Sequence, residues 1–80
     1  MDYRNRDEVT QEFLVAAMKG AVRSDIMAKA NLSPSEFDKF ATLLSANGLI
    51  STLSDATGKY IAYKITPAGI KYLSYQVHVK

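Results

Sequence analysis

The side chains best able to act on another molecule are short hydroxyls and a few cations set at helical spacing after Leu32. Ser35, Lys39 and Thr42 return to one side of a helix that would begin at Ser33, with Asp38, Ser45 and Ala46 beside them. Hydroxyls and lysine bind phosphate oxygens and base edges, whereas a carboxylate such as Asp38 either accepts from a cytosine amino group or repels a phosphate. A second group is Thr57-Gly58-Lys59-Tyr60, a turn-forming stretch with one cation, suited to lie along phosphates or reach a minor groove. Arg23 is a third candidate, at an expected helix start whose backbone N–H groups also attract anions, with Asp25 beside it acting against that. The bland alternative for all three groups is a solvated helix face and a plain hairpin turn.

Covalent and metal chemistry find no comparable grouping. The chain has no cysteine and a single histidine, His78, which nothing pairs with Ser74 or an acid as a nucleophilic system. There is no glycine-rich phosphate loop. Five tyrosines invite base stacking, but Tyr63, Tyr72 and Tyr75 are more simply core or interface residues. The sequence therefore predicts no enzyme, no cofactor, no metal and no small-molecule substrate.

The elements that must position these residues are written largely in their ends. Ser33-Pro34-Ser35-Glu36 is a capping box with proline at the first helical position, and Leu32 and Phe37 form its hydrophobic staple. That helix is expected from Pro34 to about Ala46, with Phe37, Phe40, Ala41 and Leu44 inward, Leu43 at the edge and Gly48 closing it so that Leu49 falls back on Leu44. Before it, a helix from Ser24 to about Ala30 should bury Ile26, Met27 and Ala30 and end at Asn31, which tolerates left-handed backbone. The first helix is expected from about Arg6 to Lys19, capped by Asn5, with Val9, Phe13, Ala16 and Ala17 buried. Leu14 and Met18 then form a second apolar row that a partner subunit would cover.

After Gly48 the period becomes extended. Leu49–Leu53 and Tyr60–Ile65 read as a β-hairpin around the polar turn 54–59, with Ile61, Tyr63 and Ile65 on the covered face. Thr66-Pro67 opens a last helix by the device used at Ser33, with Ile65 and Ile70 as its staple. From Tyr75 the chain alternates again, which fits a short strand, a frayed end or a dimer contact.

Eighty residues make a single domain, 1–80, with a core just large enough to hold without disulfides. Net charge is +2, but it is unevenly laid out: six basic residues face eight acidic ones up to Asp55, and four lysines with no acid follow from Ala56. A bound polyanion would draw much of its attraction from that last third. No apolar run approaches the length of a membrane span, and no signal-peptide core follows the first six residues, so the expectation is a protein that neither enters a membrane nor is exported.

Three helices, a hairpin and a closing helix in that order give a mostly helical α+β fold. The run Ile26-Met27-Ala28-Lys29-Ala30-Asn31-Leu32-Ser33, then Leu43-Leu44 with Asn47-Gly48-Leu49-Ile50, then Ile65-Thr66-Pro67-Ala68-Gly69, resembles the small archaeal winged helix-turn-helix DNA-binding regulators. The resemblance covers nearly the whole chain. It implies that the helix at about 34–46 is a recognition helix for the major groove of double-stranded DNA, and that the hairpin tip at about 54–59 is a wing on the backbone or minor groove. It further implies a transcriptional regulator or chromosomal protein, homodimeric, cytoplasmic and associated with the nucleoid. On this basis the DNA-binding candidates are Arg23, Ser33, Ser35, Lys39, Thr42, Thr57, Lys59 and Tyr60, and the dimer candidates are Leu14, Met18, Tyr72, Tyr75 and Val77. Two departures stand out: Asp25, Ser35 and Asp38 lie where the family tends to be basic, and the sequence ends about one turn after Tyr75, where relatives continue a dimerising helix. Asp25, Glu36 and Asp38, together with the spare apolar row Leu14 and Met18, support an alternative in which the scaffold binds protein and has lost DNA.

Overall fold

The computed structural model describes residues 5–58 and 61–78, with side chains through Tyr75. Lys59 and Tyr60 of the expected tip, and the side chain of Val77, lie outside the described part. Four helices and a small sheet follow in the order α1 (Arg6–Ala16), β1 (Ala21–Val22), α2 (Arg23–Ala30), α3 (Pro34–Ala46), β2 (Ile50–Ser54), β3 (Ile61–Ile65) and α4 (Pro67–His78). This is a winged helix-turn-helix arrangement, and among the described residues no helix is long and apolar enough to cross a membrane.

Local signals produced the element ends as expected. The Asn5 side chain accepts from Glu8 N–H at 2.8 Å while the Glu8 carboxylate accepts from Asn5 N–H at 3.3 Å. Ser33 Oγ accepts from Glu36 N–H at 3.2 Å and the Glu36 carboxylate accepts from Ser33 N–H at 2.9 Å, so both boxes close. At the other end of α3, Leu49 N–H donates to Leu44 O at 2.9 Å and Gly48 N–H to Ser45 O at 3.0 Å, with Gly48 at φ +72°, a complete Schellman stop. Asn31, at φ 56°, ends α2 in left-handed backbone.

Long-range packing changed several other readings. α1 ends at Ala16, not Lys19, because the Ala17 carbonyl is drawn away to accept from Ile65 N–H of β3 at 3.0 Å and from Gly20 N–H at 3.1 Å. The freed backbone at Ala21–Val22 then forms β1, so the hairpin is part of a three-stranded antiparallel sheet in the order β1-β3-β2. α2 begins one residue early, at Arg23, and its preceding residue is Val22, which offers no side-chain cap.

Leu14 is corrected from partner surface to core. It is fully buried, since α1 packs on α2 along one side and on α4 and β3 along another, and the broad apolar arc is consumed inside the chain. Met18, just past the helix, remains 40% exposed. Ile70 is also corrected: it does not staple onto Ile65 but lies outward, because Gly69 occupies that place. A Cβ on Gly69 would run into the Leu49 carbonyl oxygen and the Ile65 side chain, so only glycine lets α4 approach the base of the hairpin this closely. Thr66 locks the same junction, its hydroxyl donating to Gly48 O at 2.6 Å and accepting from Gly69 N–H at 3.1 Å.

The core is centred on aromatic rings. Phe13 stacks on Phe37 with centroids 5.3 Å apart, and Tyr63 meets the Phe37 ring edge-on, also at 5.3 Å. Ile26, Leu44, Ile50 and Ile65 close around them. Tyr72, half-buried on α4, donates its hydroxyl to Asp7 at 3.1 Å and so ties the last helix to the first. Partial burial, then the hydrogen bond to Asp7 and its negative charge, push the phenol up from its ordinary value.

Candidate nucleic-acid interface

α3 is the element that displays the candidate side chains. Its inward residues Phe37 and Leu44 are buried and Phe40, Ala41 and Leu43 are half-buried, which turns Ser35, Asp38, Lys39, Thr42, Ser45 and Ala46 to the exposed side. Apart from Lys39 and Asp38 these are short, so the ridge is narrow and polar and a groove wall can approach the backbone closely.

Two open grooves flank the ridge. One is lined by Phe37, Asp38, Ala41, Thr42, Ser45 and Ala46 of α3 together with Thr52 of β2 and Tyr63 of β3. Thr52 and Tyr63 are register partners across the hairpin, so both project from the same face of the sheet toward α3. The sequence reading did not include Thr52. Its alternation with the buried Ile50 carries the signal, but only once the strand register is known. The other groove joins Arg6 at the start of α1 to Lys39, Phe40, Thr42, Leu43 and Ala46, which sets two cations beside the ridge.

Each described candidate residue has a definite setting. Ser35, Lys39 and Thr42 stand exposed on the ridge. Ser33 is exposed but its Oγ already accepts from Glu36 N–H and lies 3.4 Å from Ser35 Oγ, so its first task is to cap α3. Thr57 shapes the tip: its N–H and its hydroxyl both donate to the Asp55 carboxylate, at 3.0 and 2.7 Å, and Gly58 turns the chain at φ +76°. Its hydroxyl hydrogen is thus committed to the turn. On α4, Tyr75 is 67% exposed, whereas the Tyr72 hydroxyl is held by Asp7.

Arg23 and Asp38 are joined, which sequence spacing did not indicate. Arg23 Nη1 lies 2.9 Å from Asp38 Oδ1, and the guanidinium carbon sits 5.1 Å from the centroid of the Phe37 ring. The cation at the start of α2 therefore neutralises the acid on the ridge. Glu36 is likewise turned back onto the helix N-terminus. Of the three acids that weighed against a polyanion, two have internal partners in the chain, and Asp25 is the exposed remainder.

Comparison with known proteins agrees with this architecture. A family model described as winged helix-turn-helix matches residues 3–80. No curated protein sequence matches the chain. Among solved structures, Sso10a-2, a DNA-binding protein from Sulfolobus solfataricus, superposes with a TM-score of 0.82 at 15% identity, over 90% of this chain and 74% of that one. A mutant of MepR from S. aureus gives 0.77 at 21% identity, over 98% of this chain and 58% of that one. The PcaV transcriptional regulator from Streptomyces coelicolor gives 0.71 at 18%, over 90% and 51%. At these identities the likeness is one of fold, and the chain spans little more than half the length of the last two.

Proposed function

The chain belongs to the winged helix-turn-helix family, and on that premise we propose that it binds double-stranded DNA as a homodimer and acts as a transcriptional regulator or architectural protein of the nucleoid. The α3 ridge enters the major groove. Ser35, Thr42 and Lys39 contact phosphates and base edges there, while the tip carrying Thr57, Lys59 and Tyr60 lies on the adjacent backbone or minor groove. Arg6, close to Lys39, adds a phosphate contact from α1.

The observation that carries this reading is the exposed side of α3: Ser35, Lys39, Thr42 and Ser45 stand clear of the chain's own packing at the spacing of one helix face. The internal pairing of Asp38 with Arg23 removes much of the repulsion that the sequence alone suggested. For the dimer, Met18 and Tyr75 are the exposed apolar side chains among the described expected contacts, and Leu14 is no longer available. Two copies would set their α3 ridges about one turn of duplex apart, about 34 Å.

Electrophoretic mobility shift with a mixed-sequence duplex at low salt tests the proposal. Binding is expected for the wild-type chain and a clear loss for Lys39→Glu, while Met18→Asp should lower the solution mass from dimer to monomer. Absence of any shift at low salt would refute DNA binding, and a monomer for the wild-type chain would refute the dimer.

A further inference from the structure

The link between Arg23 and Asp38 sets a planar donor and a carboxylate acceptor side by side at the exposed ridge of α3. Arg23 extends from the first turn of α2 across to the second turn of α3. Its guanidinium is held on two sides, by the face of Phe37 at 5.1 Å and by Asp38 Oδ1 at 2.9 Å. Phe37 is 1% exposed and packed in the aromatic stack with Phe13 and Tyr63, so the plate under the guanidinium is itself part of the core. The polar heads remain accessible, with 46% of the Arg23 side chain and 63% of the Asp38 side chain exposed. An exposed pair of this kind contributes little to stability, so its placement is not explained by the needs of the fold.

Resting on the proposed duplex binding, we infer that Arg23 and Asp38 together read a G·C base pair in the major groove. A guanidinium has five N–H donors in a fixed fork, of which Asp38 engages one edge, and the fork matches the two acceptors O6 and N7 of guanine. The second carboxylate oxygen, Oδ2, accepts from the N4 amino group of cytosine, the one major-groove donor of the same base pair. An A·T pair does not satisfy the unit: adenine places an N6 amino donor where the guanidinium needs a second acceptor, and thymine adds a methyl group. The pair carries no net charge, so it adds little to attraction by phosphates and acts on sequence preference instead. Asp38 is thus a positioning residue for Arg23 as well as an acceptor, and the acid that departs from the basic character expected on this face has a role there.

Fluorescence anisotropy with three duplexes of equal length, alternating G·C, alternating I·C and alternating A·T, tests the inference at one fixed low salt concentration. Inosine keeps the O6 and N7 edge of guanine but lacks its minor-groove amino group, so I·C shares its major groove with G·C and its minor groove with A·T. The wild-type chain is expected to bind G·C and I·C alike and both about tenfold more tightly than A·T, the discrimination typical of one well-made bidentate contact. Arg23→Lys keeps the charge without the fork and should reduce that preference to about twofold or less. Asp38→Ala should reduce the preference while raising affinity for A·T, because a carboxylate leaves the phosphate-facing side. Equal binding of the three duplexes, I·C behaving like A·T, or a preference that survives both substitutions would overturn the inference while leaving duplex binding intact. Failure to bind any of the three would instead remove the reading on which it rests.

Discussion

The base of the β-hairpin and its tip are built from the same kinds of residue, yet they do opposite things. At the base Ile50 faces Ile65 across the strands, and both are buried at 3% and 5% exposure beneath the helices. A few residues further out Leu53 pairs with Ala62 and Ser54 with Ile61, and there Leu53 is 49% and Ile61 45% exposed. Antiparallel pairing thus runs from a region fixed by burial into one held by the ladder itself, by Val22 of β1 beside Ala62, and by the Asp55 turn. The difference assigns stability to the helical hub and leaves the tip free to meet another surface. An apolar residue contributes through the layer that covers it, and among the described residues Leu53 and Ile61 are only partly covered.

Substitutions at the two ends should separate accordingly. Phe37→Ala, which removes the ring shared by Phe13, Tyr63 and Arg23, is expected to cost about 3–5 kcal/mol in chemical denaturation, enough to unfold a domain this small. Gly69→Ala forces α4 off the hairpin base and should cost about 1–3 kcal/mol; a neutral result would mean that the close approach at Leu49 and Ile65 is not required. Ser33→Ala removes one cap of α3 and should lower stability by about 1 kcal/mol, read as a shift in the denaturation midpoint with an unchanged slope. Leu53→Thr at the tip should change stability by less than about 0.5 kcal/mol, and a larger loss would show that the tip is packed like the base.

The same contrast explains what was legible in the sequence. Asn5, Ser33, Asn31, Gly48 and Thr66-Pro67 act on backbone groups within a few residues of themselves, so their types and spacing announced the helix ends directly. The early end of α1 and the strand at Ala21–Val22 depend on β3, more than forty residues away, whose Ile65 N–H claims the Ala17 carbonyl. Leu14 illustrates the same limit in the core. Helical periodicity showed a second apolar row but could not show that α2, α4 and β3 would cover it from within. At the candidate site the polar ridge of α3 followed from the position of Phe37 and Leu44, whereas the Arg23–Asp38 link joins residues fifteen apart on two helices and required their packing. Thr52 entered the groove only through its pairing with Tyr63.

On the proposed function, the exposed ridge of α3, together with the tip, is the surface that meets duplex DNA. Chemical-shift mapping of backbone amides during titration with a short duplex tests it most directly. The largest perturbations are expected at Ser35, Lys39, Thr42, Ser45 and 55–59, fading as salt is raised. Perturbations confined to Met18, Ile70 and Tyr75, with the α3 ridge unchanged, would contradict it.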